Sequence, residues 1–333
     1  MSTPSISIVT TVFNAVPYFD ECARSVLAQT WGDFEWIVYD DGSTDGSREL
    51  VRQWAQRDSR VVVDLGEQNR GVRGAFEYAV SLVKAPWVAV LDCDDVAEPE
   101  RLKLTLEAAA KNQAALALFG HAHFVDSKGD PATGWMIAQD ADAIRSLAEF
   151  TMPVINSASA WQRGWLLERL PGVFVDATYD CALLNQVLED GEIGWLPECL
   201  ARYRVHQQNY SHRRKNKQWA DGTALRFWAS RHRANRHVSS SELVAWADVL
   251  GKSTLDEGGL ESSAARQAWA LGLYRLTTYH ARRAVRRGDF TGLGVLARCL
   301  AAPEAWRRGI WPVLQGGMIG GAGVDRDGHS LRR

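Results

Sequence analysis

The chain has 333 residues, 46% hydrophobic and 23% charged, which excludes a disordered or fibrous protein and allows one large domain plus a smaller one. Its formal net charge of −2 conceals an asymmetry: residues 1–200 carry 15 Lys+Arg against 30 Asp+Glu, whereas residues 201–333 carry 23 against 10. No apolar run approaches the ~18–20 residues that span a bilayer, and residues 1–7 lack the basic start and apolar stretch of a signal peptide, so a cytoplasmic location is expected.

In chain order, residues 7–13 (SIVTTVF) read as a strand, 18–29 as a helix, 34–40 (FEWIVYD) as a second strand and 45–56 as a second helix. A strand over 60–65, a helix over 72–83, a strand over 87–91 (WVAVL) and a helix after Pro99 continue the alternation. Strands apolar throughout and joined by crossover helices imply a parallel sheet covered on both faces. Beyond residue 114 the pattern is mixed: one or two strands over 114–125, a helix over 140–150, and strand-forming sequence over 193–205. From Asn216 onward the reading is helical, and the basic cluster at 212–217 (HRRKNK) marks a domain boundary ahead of a loose glycine-rich tail.

In a doubly wound sheet, ligands bind at the carboxyl ends of the strands. Three such ends carry amide or acidic groups: Asn14, the run Asp40-Asp41-Gly42-Ser43-Thr44-Asp45, and Asp92-Cys93-Asp94-Asp95. The last is the strongest signal, because carboxylates that close repel one another unless a cation sits among them. Oxygen ligands at a strand end suit Mg²⁺ or Mn²⁺. Asp and Gly also favour turns and helix caps, so either run alone is ambiguous.

Together the motifs carry a family likeness. VTTVFNAVPYFDECARSVLAQTWGDFEWIVYDDGSTDGS (residues 9–47) and NRGVRGAFEYAVSLVKAPWVAVLDCDDVAEPERL (69–102) resemble, in order and spacing, the opening blocks of family 2 glycosyltransferases. The likeness covers about residues 5–210. It implies an α/β, GT-A-type fold over residues 1–212, with a mostly parallel sheet flanked by helices, followed by a basic helical domain over 213–320 and a tail over 321–333. It also implies an inverting transfer from a nucleotide-diphosphate sugar, a UDP-sugar first among them, to a glycan or lipid-linked acceptor in surface polysaccharide synthesis.

By the same likeness Thr11, Phe13 and Asp41 line the nucleotide pocket with Asp40 nearby, and Arg70 or Arg73 approaches the base or diphosphate. Asp92, with Cys93 beside it, lies near the nucleotide ribose, and Asp94 and Asp95 hold the Mn²⁺ or Mg²⁺ that neutralises the leaving diphosphate. The acceptor hydroxyl must lose a proton, which requires a carboxylate base. The family's base lies in a Glu-Asp pair, whose positions here are Ala177 and Thr178; Asp176 or Asp180 stands nearby, and nothing in the sequence decides between them. The departure leaves open a second reading, a nucleotide-sugar or carbohydrate-binding protein that has lost turnover. A nucleotidyltransferase would need a glycine-rich phosphate loop with a lysine near the first strand, and VTTVFNAVPYF has neither. Tyr203-Arg204-Val205-His206 resembles the family's core-terminal arginine and histidine, placing His206 near the metal or diphosphate.

Fourteen tryptophans are many for this length. Trp135, Trp161 and Trp165 fall where an acceptor should lie, and flat rings suit sugars, whereas Trp36 and Trp87 on predicted strands read as core. His121 and His123 alternate on a predicted strand, either facing the acceptor side or, the favoured reading, lying on the polar face of a sheet edge. Five scattered cysteines without a CxxC pair suggest neither a disulfide framework nor a zinc site. Arg282, Arg283, Arg286 and Arg287 share a predicted helix face, and Trp306-Arg307-Arg308-Gly309-Ile310-Trp311 interleaves aromatic and basic residues, a pattern suited to an anionic membrane surface at the inner face of the plasma membrane. A solvated face that balances the acidic part is the alternative. Without a nucleic-acid reader motif, no nucleic acid is expected.

Overall fold

In a computed structural model, β1 (Ile6–Val12) and β2 (Phe34–Asp40) pair in parallel, and every residue of β2 is buried. The structure describes residues 3–132, 138–148, 152–173 and 175–210. The basic helical domain, the tail, Trp135 and the arginine and tryptophan patterns of 282–311 lie outside the described residues. Among the described residues, no helix is long and apolar enough to cross a membrane.

β3 (Val61–Leu65) and β4 (Trp87–Val90) extend the parallel half on either side of β1 and β2. Apolar runs without polar alternation are what a sheet covered on both faces requires. α1 (Val16–Leu27), α2 (Ser47–Arg57) and α3 (Gly71–Ser81) make the crossovers. Phe19 of α1 stacks on Trp36 of β2 with ring centroids 5.8 Å apart, and the Trp36 indole N–H donates to Thr10 Oγ1 at 3.0 Å, so the buried ring leaves no polar atom unpaired. The two-residue β5 (Val96–Ala97) and α4 (Arg101–Lys111) follow.

The second half is β6 (Ala115–Val125), β7 (Ser159–Gln162) and β8 (Glu192–Arg204), with α5 (Ala141–Leu147), α6 (Arg163–Arg169) and α7 (Tyr179–Asp190). The eight-stranded sheet has the order β3-β2-β1-β4-β7-β6-β8-β5. β7 runs antiparallel to both β4 and β6, β8 runs parallel to β6, and β5 runs antiparallel to β8. The sheet is therefore mixed beyond β4, where the periodicity gave no sign of the short strands β5 and β7.

β6 lies between β7 and β8 in the sheet order, but β7 pairs only with Ala117–Phe119, so His121 and His123 have β8 as their strand partner. One expectation is corrected. Trp161 and Trp165 do not present open faces to an acceptor. They are buried, stacked at 5.6 Å, and Trp161 meets Phe119 edge-on at 5.3 Å. Their indole N–H groups donate to Ser159 Oγ at 3.0 Å and Asp190 Oδ2 at 2.8 Å, which lets α6 pack without orphaned donors.

Candidate active site

The loops after β1, β2 and β4 gather on one rim, as a parallel sheet dictates. Asn14 adopts φ 54°, a left-handed conformation that asparagine tolerates better than most residues. Its N–H donates to Ser43 Oγ at 3.0 Å and its Oδ1 accepts from Thr44 N–H at 2.8 Å. Asp45 Oδ2 accepts from Val16 N–H at 3.2 Å, and Ser47 Oγ accepts from Ala15 N–H at 2.8 Å. The Asp40–Ser47 loop thus caps the start of α1 and fixes the end of β1. Phe13, at that end, is 46% exposed, and Thr11 is half-buried.

Asp40 is fully buried and accepts from Arg48 Nε at 3.0 Å and Ser43 N–H at 3.3 Å, so it holds the loop together. Asp41 Oδ1 accepts from Arg70 N–H at 2.8 Å, which ties the second-strand loop to the start of α3. Burial pushes the Asp41 carboxyl pKa up even though the Arg70 and Gly71 amides oppose the shift. The exposed Arg70 guanidinium lies over the Tyr78 ring at 4.4 Å and the Tyr39 ring at 5.8 Å. Arg73 pairs with Glu77 at 2.5 Å, while its N–H donates to Asp176 Oδ1 at 3.0 Å. Asp176 also abuts Gly71, whose φ of 78° leaves little room for a side chain: an added Cβ would lie 3.0 Å from Asp176 Oδ1. Asp176 therefore ties the start of α3 to the segment that precedes α7.

The carboxylate cluster follows β4. Asp92 N–H donates to Ser157 Oγ at 3.0 Å; burial, then the charges of Asp94 and Asp180, push the Asp92 carboxyl up to about 7. Asp94 Oδ2 lies 2.9 Å from His206 Nε2 and 3.3 Å from Asn209 Nδ2. Gln208 N–H donates to His206 Nδ1 at 3.2 Å, so the ring proton of neutral His206 sits on Nε2 facing Asp94. Asp95 is turned inward: fully buried, it accepts from Arg204 N–H at 2.7 Å through Oδ1, while its buried Oδ2 has no hydrogen-bond partner among the described residues. Burial, then Asp94 and Asp92, hold its carboxyl well above the usual range. Cys93 is half-buried against the core, and burial, then Asp94, raises its thiol pKa.

Asp180 stands in the first turn of α7, where its Oδ1 accepts from Cys181 N–H at 2.8 Å. Asn156 Nδ2 donates to Tyr179 Oη at 3.0 Å and Phe76 packs on the Tyr179 ring at 4.9 Å, which fixes that turn. Burial pushes the Asp180 carboxyl up to about 6, and its charge is felt at Asp92. The structure thus brings Asp92, Asp94, Asp180 and His206 to one rim.

Two buried arginines hold this negative cluster: Arg204, the arginine of the core-terminal motif, and Arg101, which the sequence did not single out. Arg204 donates from Nε to Asp94 O at 2.9 Å, from Nη1 to Asp126 O at 3.1 Å and from Nη2 to Glu21 Oε2 at 2.6 Å. Arg101 donates from Nη2 to Val90 O at 2.5 Å and Ser159 O at 3.2 Å. Burial lowers the Arg101 pKa to about 10, which leaves it cationic at neutral pH opposite Asp95 and Asp92. Its sequence signal was the spacing of Arg101, Thr105 and Ala109 along one buried stripe of α4. Arg101→Met is expected to lower unfolding stability by about 3–5 kcal/mol in urea, because it strands buried carboxylates and two carbonyls. A loss under about 1 kcal/mol would contradict that balancing role.

Residues 7–170 match the sequence model of glycosyl transferase family 2. The putative teichuronic acid biosynthesis glycosyltransferase TuaG of Bacillus subtilis is 28% identical over 213 residues, which cover 62% of this chain and 82% of TuaG. An uncharacterized glycosyltransferase of Methanocaldococcus jannaschii is 30% identical over 132 residues, 39% of this chain and 46% of that protein. Among solved structures, S. aureus TarS 1-349 in complex with UDP-GlcNAc aligns with a TM-score of 0.60 at 16% identity over 92% of each chain. The Pyrobaculum calidifontis mannosyltransferase PcManGT, in complex with GDP-Man and Mn²⁺, aligns with a TM-score of 0.50 at 17% identity, covering 96% of this chain and 86% of that one. These structural likenesses establish the GT-A-like fold.

Proposed function

Because residues 7–170 match the model of glycosyl transferase family 2, we propose that the chain is a cation-dependent, inverting transferase of that family, moving a sugar from a UDP-sugar to a hydroxyl of a glycan or lipid-linked acceptor. The observation that carries this reading is the Asp94 Oδ2–His206 Nε2 approach of 2.9 Å on the rim that also holds Asp92 and Asp180. The UDP-GlcNAc of TarS supports the donor class, and the teichuronic acid role assigned to TuaG supports an acceptor in surface polysaccharide synthesis.

A divalent cation fits the residues present. Asp94 offers a carboxylate oxygen, His206 offers Nε2 once its ring proton moves to Nδ1 in place of the Gln208 N–H contact, and the Asp92 and Asp95 carboxyls, raised first by burial, are raised further by the Asp94 charge that a cation would offset. A mixed oxygen and nitrogen set suits Mn²⁺ better than Mg²⁺. When bound there, the cation would supply charge neutralisation of the diphosphate leaving group.

The remaining work falls to side chains. Phe13, exposed beside the Asp40–Ser47 loop, offers a face on which the uracil can stack, with Thr11 and Asp41 bordering the pocket. Asp41 and Asp176 hold the start of α3 in place, and Arg70 closes that side over Tyr78. The acceptor oxygen attacks the anomeric carbon as the bond to the diphosphate breaks, and Asp180 takes the hydroxyl proton. Asp176 serves as a positioning residue, since one oxygen already receives Arg73 N–H and Tyr210 Oη lies 3.4 Å from the other. Ala177 and Thr178 at the expected Glu-Asp positions favour the binding-only reading, and Asp180 counters it by supplying a carboxylate pushed up to about 6.

Calorimetric titration with UDP, with and without Mn²⁺, followed by an assay of UDP-sugar consumption, separates these readings. Tighter UDP binding with Mn²⁺ plus donor turnover is expected. Cation-assisted binding without donor consumption, by transfer or hydrolysis, would leave the binding-only reading, and no UDP binding under either condition would end both.

A further inference from the structure

Away from the rim, a second group of ligands converges from β6, β8 and the residue that follows β5. One ligand atom from each of Glu98, His123 and Cys199 lies within 4.8 Å of the other two. We propose that this group is a zinc site of carboxylate, imidazole and thiolate ligands, separate from the Mn²⁺ or Mg²⁺ position at Asp94.

Backbone geometry builds the cluster. β8 is irregular opposite Gly120 and His121, where the register skips from Leu196 to Cys199 and then to Ala201. The bulge buries Leu200, which packs where a Cβ on Gly120 would lie 2.6 Å from Leu200 Cδ1. Cys199 therefore faces the opposite way, towards His123, which is exposed and registered against Arg202. Glu98 follows β5, where its N–H donates to Leu200 O at 3.0 Å and its carbonyl accepts from Gln29 Nε2 at 2.7 Å. Two of the three ligands thus sit on hydrogen-bonded backbone, and the exposed third can adjust.

The donor chemistry selects the metal. A thiolate with an imidazole suits Zn²⁺ and disfavours Mg²⁺ or Mn²⁺. Tetrahedral bonds of about 2.0–2.3 Å set ligand atoms roughly 3.5 Å apart, so the cluster must tighten slightly, with a solvent molecule in the fourth position. Arg202 holds the Glu98 carboxylate at 2.8 Å from Nε and 3.4 Å from Nη2, and so orients the ligand in the way that hydrogen-bonded neighbours do around metals. Thiolate and carboxylate charges together balance Zn²⁺. The Cys199 Sγ–H now donates to Ala201 O at 3.2 Å; binding releases that proton to solvent as the metal–sulfur bond forms. A bound ion would pin β5 to β6 and β8. β5 leaves the Asp94 loop, and β8 leads to Arg204 and His206.

The test uses the full chain, stripped with chelator and titrated with Co²⁺, whose thiolate complexes absorb in the near ultraviolet. One equivalent is expected to give a thiolate-to-cobalt band that Zn²⁺ bleaches and that Asp94→Ala retains. Cys199→Ser should abolish the band, His123→Ala should reduce it, and Arg202→Gln should weaken Zn²⁺ binding about 10–100-fold. Absence of a thiolate band in the unaltered protein overturns the site, as does a band that persists in Cys199→Ser. If a variant fails to fold, equilibrium dialysis of the unaltered chain against Zn²⁺ decides the matter: retention of the ion when the Asp94 position is saturated with Mg²⁺ supports the site, and no retention overturns it.

Discussion

Asp180→Asn is expected to lower sugar transfer by about 10²–10⁴-fold, the range that a positioned general base contributes, while UDP affinity in Mn²⁺ is unchanged. The carboxyl, pushed up to about 6 by burial, accepts a proton only when ionised, so unaltered activity should rise through pH 6 and level off above it. The residual rate of the variant should lack this limb. Stability should move the opposite way. The folded pKa of about 6 exceeds the ordinary 3.8, so this group's stability contribution is complete below pH 3.8 and lost as pH rises through 6. At pH 8 the charged, half-buried carboxylate carries the full penalty, and Asp180→Asn should raise the melting temperature, with about 3 kcal/mol as the upper limit. A variant that loses turnover while gaining stability marks an active-site group rather than a folding defect. Asp176→Asn keeps the acceptor for Arg73 N–H and should reduce transfer far less. Full turnover in Asp180→Asn, or a larger loss in Asp176→Asn, would move the base away from Asp180.

The contrast between these two aspartates also marks how far the sequence alone carries. The parallel half was legible because Phe34–Asp40 is mostly apolar on both faces, with Glu35 and the strand-end Asp40 as exceptions, and such a run suits a sheet covered on both faces. β5 and β7 were not, since two and four residues hold no period, and their pairing partners lie far away in the chain. The strand-end rule placed Asn14, Asp41, Asp92 and Asp94 at the carboxyl ends of β1, β2 and β4, where the structure has them. It could not separate Asp176 from Asp180, because that difference is tertiary: one carboxylate receives an amide from α3, and the other faces the charge of Asp92. The tryptophans misled for a related reason. An aromatic beside a predicted sugar site reads as a platform until its indole N–H is seen to have a buried partner, as in Trp165 with Asp190. Glu98, His123 and Cys199 were invisible as a group, since their meeting depends on a bulge that no spacing rule encodes.

Asp94→Ala should remove the cation response altogether. In the unaltered chain Mn²⁺ is expected to tighten UDP binding and to be required for transfer. In the variant UDP affinity should be the same with and without Mn²⁺, and transfer should fall by about 10³-fold, the equivalent of roughly 4 kcal/mol of lost charge stabilisation on the leaving diphosphate. Chelator should bring the unaltered enzyme to the same residual rate and have no further effect on the variant. His206→Gln keeps a polar group against Tyr18, whose ring lies 4.4 Å from the imidazole, and retains Asp94, so an intermediate loss with a weaker but present Mn²⁺ response is expected. Removing Asp94 also relieves a neighbour: its charge is the second cause, after burial, of the raised Asp92 pKa, so the Asp92 carboxyl should titrate below about 7 in the variant. An Asp92 carboxyl that titrates below about 7 yet still above the ordinary 3.8 while transfer collapses separates loss of the cation from loss of the loop, because a collapsed loop would expose Asp92 and return it to the ordinary value. If Asp94→Ala transfers sugar at the normal rate and still answers to Mn²⁺, the cation sits elsewhere, and the closeness of Asp94 to His206 is only an internal hydrogen bond.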